Sequence, residues 1–405
     1  MQIKMLLAGA AVLILLAGIF TAGCIEDDIT AGKPTVELVE ITAGQQVNSL
    51  AFGQIDGMIT WQPNAAAATV SGIGKIISYS QDLPRADGKT WKDHTCCVFG
   101  ANREGLANKD LATVLTGLML LGNKYINDYP EKSAELAADW LYASAQLTYG
   151  STAVNSTDVL KASLPTIHFS TEITPKWLAG NMEFVEIQRK LGIFRDSLRS
   201  TNEKETKDLI YDFTPYNAAK KIIDSKGTFP TPVSNDISFG YLQSDHDSPL
   251  FIVIKDWQYF KDNYGIYLKP EAEKIGQIEK AELYVYDKKI CTVNIISGSS
   301  GPNLMSLLQT ENLQYAIAGT PPYLNSIDTQ PRLKIISPIM TEGSALVVSA
   351  DSPANNWKEF TAWAKQRSKD GKNIVIAVPQ VNTVQDIQIK EALDSAGLAH
   401  KIKSA

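Results

Sequence analysis

Short runs in which apolar and polar residues alternate predict strands along this chain, and longer amphipathic runs between them predict helices. Residues 36–41 (VELVEI) alternate apolar and charged side chains, as a half-buried strand does. Residues 106–127 and 131–147 repeat apolar positions at helical spacing, and Pro130 stands where the second helix begins. Strands and helices alternate again from residue 237 to residue 396. This order predicts an α/β fold with two lobes, each a mixed, mostly parallel sheet flanked by helices.

A polar stretch between the two halves predicts the boundary of the lobes. Residues 196–235 contain Lys and Pro and only short helical pieces, which is typical of a linker. The predicted lobes are therefore residues 35–195 and 236–405.

The N-terminus has the pattern of a secretory signal. Lys4 precedes an apolar stretch over residues 5–20, which is shorter than the roughly 20 residues that a membrane-spanning helix needs. The following Thr-Ala-Gly-Cys sequence, ending at Cys24, resembles the lipobox of secreted lipoproteins. That resemblance implies removal of residues 1–23, a lipid on Cys24 and a tether over residues 24–34. An uncleaved anchor helix is the alternative, and both interpretations place the rest of the chain on the extracytoplasmic face of the membrane.

Composition and charge exclude several classes of protein. The chain has 405 residues, of which 44% are hydrophobic and 20% charged, as in a globular protein large enough for two lobes. Its 38 Lys and Arg are outnumbered by 44 Asp and Glu, which gives a formal net charge of −6. Without a basic run to neutralise phosphates, no nucleic-acid partner is expected. Four cysteines are too few for a disulfide framework.

Four loops of the second half place Gly, Ser, Thr or Pro between a predicted strand and the start of a predicted helix. They are residues 244–249 (SDHDSP), 297–303 (SGSSGPN), 319–323 (GTPPY) and 379–386 (PQVNTVQD). A helix N-terminus has unpaired N–H groups and partial positive charge, so such loops bind anionic or carbonyl groups without a Lys or Arg. Each loop taken alone is also an ordinary helix cap. Together they predict a ligand site at the carboxyl ends of the strands.

The same segments resemble a known family. SGSSGPNLMSLLQTENLQYAIAGTPPYL, TEGSALVV and AVPQVNTVQDIQIKEALDSAGL resemble the N-terminal lobe of nitrate/sulfonate/taurine-type solute-binding proteins. LAFGQIDGMITWQPNAAAA and DHTCCVFGAN resemble the C-terminal lobe of that family. The two lobes occur here in the opposite order, which indicates either a circular permutation or a fragment of a tandem duplication.

The resemblance implies a periplasmic-binding-protein-like (type II) fold that closes around a small solute. The expected function is that of a lipid-anchored, extracytoplasmic solute-binding protein of an ABC importer, with its permease and ATPase as partners. The expected solute is a small oxyanion or polar molecule of the sulfonate, taurine, nitrate or bicarbonate class. Neither catalysis nor a cofactor is implied. The alternatives are a pyrimidine or thiamine-precursor binding protein or enzyme on the same fold, and an extracytoplasmic sensor.

Carried onto this chain, the resemblance also implies a set of ligand contacts at the ends of strands. They are Ser299, Ser300, Gly301, Thr320, Pro321, Gly343, Ser344, Asn382 and Thr383, with Trp61 and Gln62 from the other lobe. Asp386 is expected to cap or orient its loop rather than to contact an anion.

Two further groups of polar residues have more than one interpretation. Ser244, His246 and Asp247 either contact a polar ligand or belong to the cap of a helix that begins near Pro249, and Asp245-His246-Asp247 also suits a metal. No metal site is expected, because the sequence shows no second cluster that completes a coordination set. His94 with Cys96 and Cys97 could supply a nucleophile, but their strand setting and lack of an orienting partner predict buried thiols.

Overall fold

The computed structural model describes residues 32–403 of the chain. It confirms the mixed α/β class. The predicted signal (residues 1–23), the lipidation site Cys24 and most of the tether lie outside the described residues. Within residues 32–403, no helix combines the length and the apolar character needed to cross a membrane.

Strands and helices alternate through most of the described chain. The strands are β1 (Thr35–Glu40), β2 (Gly57–Trp61), β3 (Gly74–Tyr79), β4 (Cys97–Asn102), β5 (Gln146–Tyr149), β6 (Thr152–Asn155), β7 (Ile167–Phe169), β8 (Ile237–Leu242), β9 (Ile266–Pro270), β10 (Lys280–Val285), β11 (Lys288–Gly298), β12 (Tyr315–Gly319), β13 (Leu333–Pro338), β14 (Met340–Glu342), β15 (Ser344–Ser349), β16 (Ile374–Val378) and β17 (Ala399–Ile402). The helices are α1 (Ala43–Ala51), α2 (Asn64–Val70), α3 (Arg103–Ala107), α4 (Lys109–Asp128), α5 (Pro130–Leu141), α6 (Ser156–Ser163), α7 (Pro175–Lys190), α8 (Glu203–Ile210), α9 (Thr214–Ser225), α10 (Ser248–Lys255), α11 (Trp257–Tyr264), α12 (Gly301–Gln309), α13 (Thr320–Thr329), α14 (Trp357–Lys369) and α15 (Val384–Ser395).

A six-stranded sheet joins the first three strands of the chain to the last three. Its order is β17-β1-β16-β2-β15-β3. Strand β1 lies parallel to β16 and β17, and β16 lies parallel to β2, whereas β15 runs antiparallel to both β2 and β3. The two ends of the described chain therefore meet at one edge of this sheet, where the Ala399 N–H donates to the Pro34 carbonyl (2.8 Å).

A seven-stranded sheet contains most of the remaining strands in the order β13-β4-β12-β8-β11-β10-β9. Strand β8 is parallel to β11 and β12. The other four pairings are antiparallel, so this sheet is not mostly parallel as predicted. Strand β4 is buried at every position, as expected of an inner strand with helices on both faces.

The chain crosses between the two sheets twice, after β3 and after β13. Strand β4 thereby enters the second sheet between β12 and β13, while β15 to β17 return to the first sheet. Each sheet thus contains strands from both of the predicted lobe segments, 35–195 and 236–405. Pattern along the chain could not show this, because strand pairing joins residues that are far apart in sequence.

The predicted linker is a folded part of the seven-stranded half. Residues 196–235 contain α8 and α9, and α9 packs on α4. Helix α8 begins with a capping box in which the Asn202 and Glu205 side chains bond each other's backbone N–H. Phe229 is buried against Gly117 of α4, where a β-carbon would lie 2.5 Å from the phenyl ring.

One predicted helix ends earlier than expected. The helix predicted over 131–147 ends at Leu141, and the residues after it form the β5–β6 hairpin. Helices α10 and α11 are separated at Asp256. The Asp256 carboxylate there accepts a hydrogen bond from the Tyr125 hydroxyl of α4 (2.5 Å).

An aromatic stack and a buried amide fix β4 among strands from the other half of the chain. Phe99 stacks on Phe239 of β8 and on Tyr315 of β12, with ring centroids 5.4 and 5.8 Å apart. At the end of β4, the Asn102 amide donates to the Leu308 and Leu313 carbonyls (3.1 and 2.8 Å), and its oxygen accepts from the Gly105 N–H (2.9 Å). Packing and hydrogen bonding thus hold β4 in its position between β12 and β13.

Replacing Asn102 with Ala should lower the free energy of unfolding by roughly 2–4 kcal/mol, because three backbone groups lose a buried partner. Asn108→Ala is the matched control, since this half-buried Asn caps α4 through a hydrogen bond from the Leu111 N–H (3.1 Å). It should cost about 1 kcal/mol. Chemical denaturation measures both losses, and equal losses would contradict the role given to Asn102.

Candidate functional site

A small cavity lies where the ends of strands from both sheets meet. The centre of a water molecule can occupy a volume of about 30 Å³ within it. The six-stranded sheet contributes Trp61, Thr383, Val384 and Gln385, and the seven-stranded sheet contributes Cys96, Cys97, Leu242, Ser244, His246, Gly301, Gly319 and Pro322. Most of these residues end a strand or begin the helix after it, as expected of a ligand site in an open α/β sheet.

Three helices direct their N-termini towards this cavity. Helix α12 begins at Gly301, α13 follows Gly319, and α15 follows Thr383. Thr383 makes no side-chain cap to α15, so the first N–H groups of that helix are not satisfied by its hydroxyl. No Lys or Arg of the described chain lines the cavity. The positive potential at the site therefore comes from backbone dipoles.

Trp61 supplies an unused hydrogen-bond donor. It ends β2 and lines the cavity, and its Nε1 is buried without a hydrogen-bond partner among the described residues. A buried N–H without a partner costs about 1–3 kcal/mol. A ligand with an acceptor atom would remove that cost.

Hydrogen bonds join the two sides of the cavity. The Ser244 hydroxyl, which follows β8, donates to the Gln62 carbonyl (2.8 Å). His246 Nε2 contacts the Gly343 carbonyl (2.8 Å), and the same carbonyl accepts from the Gln62 N–H (3.0 Å). Gln62 thus contributes its backbone, while its side chain bonds Thr166 and the Ala66 N–H.

His246 lies against two thiols that come from a distant part of the chain. Its Nδ1 is 3.6 Å from the sulfur of Cys96 and 3.6 Å from that of Cys97. All three side chains are buried. The expectation that the thiols lack an orienting partner is therefore wrong, and the partner is His246. His94 lies elsewhere, with its ring nitrogens on the Thr95 carbonyl and the Ser80 hydroxyl (3.0 and 2.9 Å).

The pKa values of the three side chains Cys96, Cys97 and His246 are shifted from their usual ranges. A hydrogen bond from Cys97 and the charge of His246 hold the pKa of Cys96 well below its usual range, although burial opposes this. That hydrogen bond and burial raise the pKa of Cys97. Burial lowers the pKa of His246, but the charges of Cys96 and Asp245 outweigh burial and raise it to about 9. Both shifts favour the charged forms of Cys96 and His246.

The two acidic residues beside His246, Asp245 and Asp247, do not line the cavity. Asp245 accepts a short hydrogen bond from the Ser163 hydroxyl, and Asp247 accepts one from the Leu242 N–H (2.6 Å). Burial raises the pKa of Asp245 to about 6 and raises that of Asp247 well above its usual range. Asp247 makes no side-chain cap to α10, so the predicted cap of this helix does not form.

Comparison with known proteins relates part of the chain to a family. The profile of the NMT1-like family matches residues 11–142. An uncharacterized protein of Methanocaldococcus jannaschii, MJ1180, is 32% identical over 134 residues, which are 31% of this chain and 90% of the relative. The NMT1-like family consists of periplasmic-binding-protein-like solute-binding proteins of ABC transporters, and its profile covers about a third of this chain. No solved structure matches the chain.

The predicted ligand contacts divide into three groups. Those that line the cavity are Trp61, Ser244, His246, Gly301 and Thr383. Four others touch a residue at the cavity or bridge its sides: Gln62, Thr320, Gly343 and Ser344. Thr320 donates to the Cys96 carbonyl from its N–H (2.8 Å) and its hydroxyl (3.2 Å). Ser344 accepts from the Gln385 amide (2.8 Å).

The remaining predicted contacts do not line the cavity. Ser299 is exposed, and Ser300 caps α12 by accepting from the Asn303 N–H (3.2 Å). Pro321 is buried in the first turn of α13, and Asp247 bonds Leu242. The Asn382 N–H donates to Asp386 (2.8 Å), which confirms that Asp386 orients its loop.

Several cavity residues were missed by sequence reasoning. Val384 and Gln385 lie within the predicted loop 379–386, and Gly319 begins the predicted loop 319–323, but none of the three was named as a contact. Leu242 ends β8, just before the predicted loop 244–249. Cys96 and Cys97 had no comparable signal, because they lie about 150 residues from His246 in sequence.

Replacing Gly343 with Ala should destabilise the protein by roughly 2–4 kcal/mol, because backbone strain and a steric clash both contribute. Its φ is +74°, and a β-carbon would lie 2.7 Å from His246 Nε2 and 2.8 Å from Met340 Cε. Gly371→Ala is the matched control, since its φ is +72° and nothing lies within 4 Å of the added atom.

The control has the backbone strain without the clash, so its free energy of unfolding should fall by only about 1 kcal/mol. Thermal or chemical denaturation gives both values. If the two variants lose the same stability, Gly343 does not make the close contact with His246 that the structure shows.

Proposed function

We propose that this protein is the extracytoplasmic solute-binding component of an ABC importer, and that its solute is a small oxyanion or polar molecule. The observation that carries the proposal is the convergence of three helix N-termini and the unpaired Trp61 Nε1 on one small cavity. Donors without a fixed cation suit a ligand rich in acceptor atoms and of low charge. The match of residues 11–142 to the NMT1-like family profile supports the same role.

The size of the cavity favours the smallest members of the solute class. A site needs about 10–15 Å³ of this measure to hold one water molecule, so 30 Å³ has room for two or three. Nitrate and bicarbonate, with four non-hydrogen atoms each, suit that space better than taurine or a longer alkanesulfonate. We therefore place nitrate and bicarbonate first among the candidates.

The type II two-lobe mechanism is part of the proposal. The two crossings of the chain, after β3 and after β13, would act as the hinge between the sheets. Opening would break the hydrogen bonds of Ser244 to Gln62 and of His246 to Gly343, and a bound solute would favour the closed arrangement.

We propose the membrane attachment from the sequence. We propose the permuted order from the sequence and from the closeness of the two ends of the described chain. A signal over residues 1–23 and a lipid on Cys24 would anchor the protein beside its permease and ATPase. Strands β17 and β1 are parallel neighbours at one sheet edge. Adjacent ends are expected of a circular permutation, since residues that were once consecutive remain close. A fragment of a tandem duplication would bring its ends together in the same way.

Nitrate or bicarbonate should raise the melting temperature of the protein, with a gain of about 2.7 kcal/mol at a hundredfold excess over Kd. The screen should also contain taurine, methanesulfonate and a pyrimidine. Trp61→Phe should weaken binding of the active solute by about tenfold, since it removes one hydrogen-bond donor and keeps the ring. Titration calorimetry measures both affinities.

Trp363→Phe is the control for this variant, because this tryptophan packs on Phe360 within α14 and does not line the cavity. It should bind the solute as the wild type does. A folded protein that responds to none of the anions would contradict the proposal, and a response to the pyrimidine alone would favour the precursor-binding alternative. Unchanged affinity of Trp61→Phe would show that the solute binds elsewhere.

A further inference from the structure

We infer that Cys96, Cys97 and His246 bind one transition-metal ion of the zinc class, and that its fourth coordination position opens into the cavity. Two thiolate sulfurs and one imidazole nitrogen would be the protein ligands. The inference depends on the arrangement of these three side chains and not on the proposed transport.

The distances between the three ligand atoms match a tetrahedral metal centre. His246 Nδ1 lies 3.6 Å from each sulfur, and all three atoms lie within 4.8 Å of one another. Zinc bonds of about 2.3 Å to sulfur and about 2.0–2.1 Å to nitrogen place tetrahedral ligands roughly 3.5–3.8 Å apart. An ion could therefore bind with little movement of the backbone.

The neighbours of the three side chains hold them in a suitable orientation. His246 Nε2 bonds the Gly343 carbonyl (2.8 Å), and Nδ1 therefore faces the thiols. A metal-binding histidine is commonly oriented in this way, by donating from its other nitrogen to a carbonyl. The Cys96 carbonyl accepts two hydrogen bonds from Thr320. These bonds hold the backbone at the start of β4, where the two cysteines lie.

Charge and softness decide the class of ion. Thiolate and imidazole ligands select zinc and similar soft or borderline metals over calcium and magnesium, which prefer oxygen. Two thiolates neutralise a divalent ion. The filled site therefore carries no net charge, which suits ligands that are only 2 or 3% exposed.

The cavity supplies the position that the protein leaves free. All three side chains line it, together with Trp61 and Thr383. Neither Asp245 nor Asp247 lines this space; Asp245 bonds Ser163 and Asp247 bonds Leu242. A site with three protein ligands accepts water or an oxygen atom of a solute as the fourth ligand.

Titration of the reduced, chelator-treated full-length chain with Co²⁺ tests the site, because cobalt replaces zinc and reports its ligands by absorption. We expect one ion per chain, thiolate-to-cobalt charge-transfer bands, and displacement by Zn²⁺. Cys97→Ser and His246→Gln should each weaken the affinity at least a hundredfold, and Cys96→Ser should do the same. Cys291→Ser is the matched control, since this buried thiol of β11 does not line the cavity.

Near-ultraviolet circular dichroism of each variant shows whether it is folded, and only folded variants are compared. The inference is overturned if the folded, reduced wild type binds no cobalt or zinc. It is also overturned if cobalt binds without thiolate bands, or if Cys291→Ser loses as much affinity as Cys97→Ser. Each of these failures leaves the solute-binding proposal standing, because the nitrate and bicarbonate screen does not depend on metal.

Discussion

The two crossings of the chain between the sheets are the constraint on which the rest of the structure depends. They place the strand ends of both sheets at one cavity, although the residues involved are far apart in sequence. Without the first crossing, Cys96 and Cys97 would not enter the seven-stranded sheet beside His246. Without the second, Gly343 and Ser344 would not face the loop that follows β8. The Phe99 stack and the Asn102 hydrogen bonds hold this arrangement against the entropy of a long-range connection.

Helix N-termini supply positive potential at the cavity, which no Lys or Arg of the described residues lines. Helix N-termini attract acceptor atoms, and the first turn of α15 at Thr383 keeps its N–H groups free of a side-chain cap. The acidic pair Asp245 and Asp247 would repel an anion if both were ionised and faced it. Instead both bond other parts of the protein, and burial raises the pKa of each carboxyl. Neither side chain lines the cavity.

Local sequence pattern predicted the class of the fold and part of the site. It could not predict which strands pair when they are far apart in sequence. The loops before α12 and α15 were identified because Gly, Ser and Thr between strand and helix have a local signal, and Gly301 and Thr383 do line the cavity. The position of β4 and the contact of His246 with two thiols have no such signal. The helices of residues 196–235 were underestimated because they bury few side chains; α8 buries only Thr206 and Ile210.

The central claim is that the two sheets close on a small solute, and a distance across the cavity tests it most directly. Spin labels on Thr42→Cys and Ser299→Cys would occupy exposed positions after β1 and β11, one on each sheet. Double electron–electron resonance should show a broad distribution of distances without solute and a narrower, shorter one with saturating nitrate or bicarbonate. A distribution unchanged by a solute that calorimetry shows to be bound would contradict the account.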